Sequence, residues 1–407
     1  MPVWYEKLKP LVDSGKIALI GVIQEQHAER GRLYAQWKKF EFPIVQDQVT
    51  SNGLAVVPVV IFIDEYGIVQ NTSPRVNHLA EFVQQSFPNP ESDSPKIEAN
   101  QTDVAWLKTN AESTKSVNSF CLLGDAYLNW GGEKKADEAI KAYEGALSVI
   151  DSSPVAQDQA TKGQIYFRLG VAYRSRFDAD SQSSQSSDDF SQASMFWSKA
   201  LAENPNQYIW RRRIQQYGPR LEKPYPYYDW LETAQTEIAA RGETPIELQV
   251  GLSGAEIAQP AKVFTASDPV QKNPDPDAKV TVDEANLVQV QPTIVPNWTE
   301  PGKAVRVHLR FHTQNGKWNN EAEPLRVWID DSPEYRVSSN LVEFPNVLET
   351  TSIESRTVEF ELEPTINAAG EIEAKGFALY NVCEADNGQC LYRRNEFSVL
   401  VKVLDSK

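Results

Sequence analysis

Residues 56–70 read Val56-Val57-Pro58-Val59-Val60-Ile61-Phe62-Ile63-Asp64-Glu65-Tyr66-Gly67-Ile68-Val69-Gln70, and the architecture of the N-terminal part turns on them. Val59 to Ile63 is an unbroken apolar, largely β-branched run, which predicts a strand buried on both faces. Asp64-Glu65-Tyr66-Gly67 is a turn with its glycine late. Ile68-Val69-Gln70 then returns as a second strand, so the segment is predicted to be a β-hairpin. Pro58 stands at the first strand position, one of the few places where a sheet tolerates proline.

Upstream of the hairpin, residues 3–13 form a predicted amphipathic helix with Trp4, Leu8 and Leu11 on one stripe, ended by Ser14-Gly15. Ile17 to Ile23 is a predicted buried strand, Glu29 to Phe40 a second helix and Pro43 to Gln46 a short strand. Downstream, Val76 to Phe87 is a predicted helix. The order over residues 1–88 is α-β-α-β-β-β-α. With the Pro58 hairpin, it resembles the thioredoxin-like fold in its redoxin or peroxiredoxin-like branch, from the first active-site helix onwards. The resemblance implies a cis bond at Val57–Pro58, with Pro58 beside the active-site thiols and Val57 offering backbone groups to a bound peptide. It also implies a buried strand before the first helix, with a cysteine at the strand-to-helix junction. There the free N–H groups and the positive dipole end lower a thiol's pKa. No cysteine occurs in residues 1–100. Two expectations follow. In one, the native product starts upstream of Met1 and carries the strand and thiols. In the other, the domain has lost its thiols and serves as a binding module. A sheet lacking its central strand exposes neighbouring edges, which favours the first.

The chain has 407 residues, 41% of them hydrophobic and 24% charged, a globular composition too long for one ordinary core. No apolar run approaches the roughly 20 residues of a membrane span, and the N-terminus lacks a signal-peptide core. The expected compartment is cytoplasmic if Met1 is the start and the cell envelope if a segment precedes it. A net charge of −16 disfavours nucleic acid and anionic membranes as partners. With three cysteines and four histidines in the chain, neither a disulfide scaffold nor a metal site is expected, and no cofactor is implied.

Residues 89–104 are a Pro/Ser-rich linker. From 105 to 244 the pattern is helical. Phe120-x-x-Leu123-Gly124-x-x-Tyr127 followed by Ala139-x-x-x-Tyr143-x-x-Ala146-Leu147 resembles a tetratricopeptide repeat. Tyr166-x-x-Leu169-Gly170-x-x-Tyr173 followed by Ala193-x-x-x-Trp197-x-x-Ala200-Leu201 repeats it. Small residues admit close helix approach and aromatic rings fill the gaps. The first pair is joined through Gly131-Gly132, and Asp178 to Asp189 is a low-complexity insertion in the second. Two repeats read as a spacer or as a concave surface for a client peptide. Cys121 sits beside Leu122 and Leu123 as a small apolar residue. Trp210 to Trp230 holds four Arg, four Tyr and two Trp. It is read either as a packed seam or as an anionic or aromatic ligand site using Arg211, Arg212, Arg213 and Arg220.

Residues 245–280 form a second linker. From 281 to 407 short strands alternate, among them Val305-Val307-Leu309-Phe311 with Arg306, His308, Arg310 and His312 on the other face. This predicts an antiparallel β-sandwich. His308 and His312 are more than about 10 Å apart along a strand, too far to share a metal. The last hairpin carries Cys383 and Cys390 around an Asp386-Asn387-Gly388 turn, which places them within bridging reach. Here the chain resembles the N-terminal immunoglobulin-like domain of the bacterial transmembrane thiol:disulfide interchange reductase. It is also similar to sandwiches found behind thioredoxin-like domains in NHL-repeat proteins. The resemblance implies that Cys383 and Cys390 exchange electrons with thioredoxin-like partners. A structural bridge, or two free thiols in a reducing compartment, is the other reading.

The expected fold class is therefore multidomain. It comprises an N-terminally incomplete α/β thioredoxin-like domain, an α-helical repeat middle and an all-β immunoglobulin-like sandwich. The expected function is thiol–disulfide exchange of a redoxin-family oxidoreductase on protein or peptide disulfides. The rival is a non-catalytic scaffold binding client peptides. A third reading is a thiol peroxidase, which requires an upstream nucleophilic cysteine.

Overall fold

The computed structural model describes residues 2–51, 53–75, 77–89, 103–130, 135–152, 159–179, 188–221, 228–256, 271–314, 316–384 and 388–404. Most of the first linker, the Gly131-Gly132 turn, most of the 178–189 insertion, Tyr225, Tyr227 and the Asp386-Asn387 pair lie outside them. The chain divides into two compact units. The first is Met1–Arg168 with Asn204–Ile209 and Trp230–Gln249; the second is Leu169–Glu203 with Trp210–Asp229 and Val250–Lys407. Each unit combines helices with β-strands, so the protein is a multidomain chain of mixed α and β structure.

The first unit opens with α1 (Pro2–Asp13), β1 (Gly21–Ile23), α2 (Ala28–Lys38), β2 (Ile44–Gln46), β3 (Phe62–Ile63), β4 (Val69–Asn71) and α3 (His78–Phe82). β1 pairs with β2 in parallel, Gly21 opposite Ile44, and β3 pairs with β4 antiparallel. The β3–β4 turn is held by Asp64, whose carboxylate accepts from the N–H groups of Tyr66 and Ile68, both at 2.9 Å. Gly67 supplies the positive φ, +81°. The Val57–Pro58 peptide is cis, the isomer that the resemblance implies at that position.

Three expectations need correction. The helix predicted over Val76–Phe87 keeps only His78–Phe82, and two strands change. The strand over Val59–Ile63 shrinks to Phe62–Ile63, and it is not buried on both faces: Phe62 is buried while Ile63 is 53% exposed. Likewise the Ile17–Ile23 strand begins at Gly21, and Val22 is exposed. The reason is pairing. Among the described residues β1 bonds only β2 and β3 only β4, so neither strand has the two neighbours of a central strand. Leu8, Phe62 and Leu79 form a small core that also gathers Trp4, Leu19, Val60 and Phe82.

The rest of this unit is helical: α4 (Val104–Thr114), α5 (Val117–Trp130), α6 (Ala136–Ser152), the first half of α7 (Gln159–Ala179) and α10 (Leu231–Ala240). α5 and α6 pack closely because Gly124 faces Tyr143. A Cβ on Gly124 would stand 2.3 Å from that ring. Between these helices lies a buried polar cluster. Arg168 donates to both oxygens of Asp125, at 2.8 and 3.0 Å, and the Tyr143 hydroxyl donates to Asp125 at 2.8 Å. α10 meets α2 through stacked Trp37 and Trp230 rings. Arg241 donates to the Gln36 and Trp37 carbonyls at the end of α2, where a cation suits the negative dipole end.

The second unit holds the remainder of α7, α8 (Asp189–Glu203), most of α9 (Tyr208–Tyr217) and ten strands among the described residues. One sheet runs β10 (Leu341–Phe344), β8 (Leu325–Ile329), β13 (Gly370–Glu384), β7 (Gly316–Asn319), β11 (Thr351–Ser352), with β14 (Cys390–Val403) pairing along β13. The other runs β5 (Val288–Val295), β6 (Val305–Thr313), β12 (Arg356–Pro364), β9 (Tyr335–Val337). Their facing side chains, including Leu309, Phe311, Trp318, Val327, Phe360 and Val401, make one core.

The outer face of β6 is buried as well. Arg306, His308, Arg310 and His312 are all at most 8% exposed; helices of the unit cover His308 and Arg310, and the turn at Gly254 closes on Arg306. Phe190 of α8 meets the His308 ring, Ser194 donates to the Ile294 carbonyl, and Arg310 stacks on Phe177 of α7. The charges are satisfied in place. Arg306 pairs with Glu359 at 2.6 Å and Glu361 at 3.1 Å, and His308 Nδ1 lies 2.9 Å from Glu359. α7 and α8 repeat the packing of α5 and α6: a Cβ on Gly170 would stand 2.4 Å from Trp197.

Candidate functional site

β13 and β14 form a long two-stranded ladder, from Gly370 opposite Val403 to Cys383 opposite Cys390. Alternating small and β-branched residues on the core side of β13 (Ile372, Ala374, Ala378, Val382) hold it against the sandwich interior. The ladder closes beyond the cysteines. Glu384 N–H donates to the Gln389 carbonyl at 2.9 Å, Gly388 N–H donates to the Glu384 carbonyl at 3.2 Å, and Gly388 has a φ of +65°.

Cys383 and Cys390 are joined by a disulfide with an S–S length of 1.97 Å and a Cα–Cα separation of 3.8 Å. The two halves differ in environment. Cys383 is 8% exposed, whereas Cys390 is exposed on the edge strand. The difference comes from β7. β13 is flanked by β14 on one side and β7 on the other, with Cys383 opposite Lys317 and Glu384 opposite Gly316. Gly316 admits this contact, since a Cβ there would lie 2.9 Å from the Cys383 carbonyl oxygen. A disulfide is opened by in-line attack of a thiolate on one sulfur, and access selects which one. Of the two cysteines, Cys390 is the more accessible residue.

The third cysteine offers no comparable chemistry. Cys121 on α5 is pushed up to about 11 by burial, with Arg168 pulling it down and Asp125 raising it further. It is thus a neutral thiol at neutral pH, and thiolate character is what reactivity requires.

Val57 and Pro58 lie in the first unit, before β3, and both are exposed. Arg211, Arg212 and Arg213 lie on α9 in the second unit, where Arg213 is buried and reaches Gln216 at 3.3 Å. Arg220 donates its backbone N–H to Glu361 at 2.6 Å. These arginines are spread along and beyond a helix rather than gathered around one cavity. A depression of about 400 Å³ on the β13–β14 surface is lined by Asp330, Lys375, Phe377, Arg394 and Glu396. Its guanidinium is already engaged by Asp275 at 3.0 Å.

Two features escaped the sequence reading: the Lys317–Cys383 pairing, and the buried Arg306–His308–Glu359 cluster. Alternation alone marked the second as a polar outer face. No local signal marked the first, because β7 and β13 are joined only through tertiary register. Among the described residues no group of three or more His, Cys, Asp or Glu is placed to hold a metal, and no helix is long and apolar enough to cross a membrane.

No protein-family model matches the chain, and no curated protein matches it. Solved structures resemble parts of it distantly. One is AvmM, described as catalysing macrocyclization in alchivemycin A biosynthesis, at 13% identity and a TM-score of 0.19, covering 30% of this chain and 91% of its own. Another is WR4, a C. elegans MSP family member, at 10% identity and 0.16, covering 30% and 98%. A third is an extracellular fragment of EsaA from Streptococcus gallolyticus, at 13% identity and 0.11, covering 76% and 69%. At these TM-scores none of them bears on fold or function here.

Proposed function

We propose that Cys383–Cys390 is a redox-active disulfide that exchanges with the thiols of a thioredoxin-like protein partner. The observation that carries this is the asymmetry of the pair: one sulfur at an accessible strand edge, the other packed between β14 and β7. A partner thiolate attacks Cys390 Sγ. The new bond joins the partner to Cys390, and the electron pair of the old bond leaves with Cys383 Sγ. A second partner thiol then attacks the mixed disulfide and releases Cys390. The partner's dithiol is oxidised to a disulfide, and the hairpin is reduced to two thiols. The outer edge of β14 is bridged from Arg394 onwards by Val282 and Thr299, so an extended partner segment would approach its backbone at the Cys390 end.

In this reading the first unit is a thioredoxin-like remnant. The parallel β1–β2 pair followed by the β3–β4 hairpin supports it, and Val57 and Pro58 would face a peptide. The helix pairs are tetratricopeptide-like, supported by Gly124–Tyr143 and Gly170–Trp197 packing alike, and the two facing sheets are immunoglobulin-like.

The test is exchange with reduced thioredoxin, followed by alkylation and intact mass. Two added alkyl groups within minutes, and a mixed disulfide on Cys390 when the reduced thioredoxin lacks its second, resolving cysteine, are the expected results. A hairpin that stays oxidised under a large excess of reduced thioredoxin overturns the proposal. A second reading is favoured by the burial of Cys383: the bond is a structural clip, and the chain is a scaffold for client peptides. That reading predicts the oxidised outcome.

A further inference from the structure

The register across three strands places Lys317, Cys383 and Cys390 in one row, Cys383 opposite Lys317 on β7 and opposite Cys390 on β14. Residues directly opposite in an antiparallel ladder project to the same face, with Cβ atoms roughly 5 Å apart. The adjacent row, Trp318–Val382–Leu391, points into the sandwich core, so the row of the lysine and the disulfide lies on the other face. Lys317 is exposed, and it makes no ion pair among the described residues.

We propose that Lys317 is the cation that stabilises the Cys383 thiolate when the disulfide opens. This rests on Cys390 being the sulfur attacked. Attack there forms a bond from the incoming thiolate to Cys390 and expels Cys383 Sγ with the electron pair, so a negative charge appears on the packed sulfur. The ammonium of Lys317, in the neighbouring position of the same row, balances that charge, and a better-stabilised leaving thiolate departs faster.

The other charged groups on the adjoining elements do not take this part. Glu384 follows Cys383 and alternates to the other face. Arg393 stands opposite Tyr380, whose ring is in the core. Arg326 on β8 is engaged by the Tyr392 hydroxyl at 3.0 Å and by Glu323.

The experiment uses the full chain as Lys317→Met, Lys317→Glu and Lys317→Arg. The rate of hairpin reduction by dithiothreitol is followed by quenched alkylation from pH 6 to 9. In a Cys390→Ser background, the Cys383 thiolate is titrated by its ultraviolet absorbance; Cys121, pushed up to about 11, stays outside that range. Lys317→Met is expected to raise the Cys383 pKa by about one unit and to slow reduction roughly 3- to 10-fold. Lys317→Glu does more, and Lys317→Arg stays near the parent. An unfolding midpoint unchanged in all three excludes a general loss of structure. Equal rates and an equal Cys383 pKa in parent, Met and Glu variants overturn the assignment. Failure of the exchange proposal looks different: dithiothreitol reduction would still depend on Lys317 while reduced thioredoxin leaves the disulfide intact.

Discussion

Glu359 is enclosed by His308, Arg306 and the Gly254 N–H. Burial alone would raise its carboxyl, but these cationic and N–H partners hold it well below its ordinary value of 4.5. A carboxylate depressed in the folded state contributes stability that is complete above its unfolded pKa and lost as the pH falls through the folded one. The second unit is therefore expected to weaken from about pH 4.5 downward. Glu359→Gln should lower the urea midpoint at pH 7 and flatten the loss between about pH 4.5 and 2, as read by tryptophan fluorescence at a series of pH values. Parallel curves for parent and variant would show that the ionised carboxylate is not what ties this cluster together. At the same scale, the Cys383–Cys390 bridge was legible as two cysteines flanking a turn. Which of them is buried was not, because β7 supplies the cover. The strand alternation also displayed Arg306, His308, Arg310 and His312 as one face without revealing that aromatic rings from α7 and α8 pack on it.

At the scale of elements, the long helices were read most reliably and the short elements least, α3 among them with five residues in place of the predicted Val76–Phe87. The Leu-Gly-x-x-Tyr and Ala-x-x-x-aromatic patterns span several turns, so many residues agree on one period. β1 and β3 hold three and two residues, too few for a pattern to set their ends, and their apolar runs overstated both length and burial. The packing of the helix pairs makes a signed prediction. Alanine normally favours a helix over glycine by about 1 kcal/mol. At Gly124 and Gly170 a Cβ would meet the Tyr143 and Trp197 rings at 2.3 and 2.4 Å. Gly124→Ala and Gly170→Ala should therefore destabilise, by about 1–3 kcal/mol as in overpacked cores. Chemical denaturation decides the sign, and stabilisation by either change would mean that the rings yield without cost.

At the scale of the molecule, the helices on the outer face of β6 belong to the same compact unit as the two sheets. A fragment of residues 159–407 is expected to unfold in one transition. A fragment of 281–407 lacks the cover over Arg306, His308 and Arg310 and should have a lower thermal midpoint. Equal midpoints would show that the helices add nothing to the sheets. The sequence by itself determined the type and order of the main helices, the two hairpins, the glycine–aromatic helix packing and the closeness of Cys383 to Cys390. Each is written in a few neighbouring residues: a period, a turn or a short spacing. Only the tertiary structure decided that the polar face of β6 is buried, that Cys383 is enclosed while Cys390 is open, and that Lys317 stands beside them. Those depend on strand register and on contacts such as that of His308 with the Tyr217 carbonyl, 91 residues apart. Such pairings leave no local trace, because the free energy that selects them is summed over the whole packed unit.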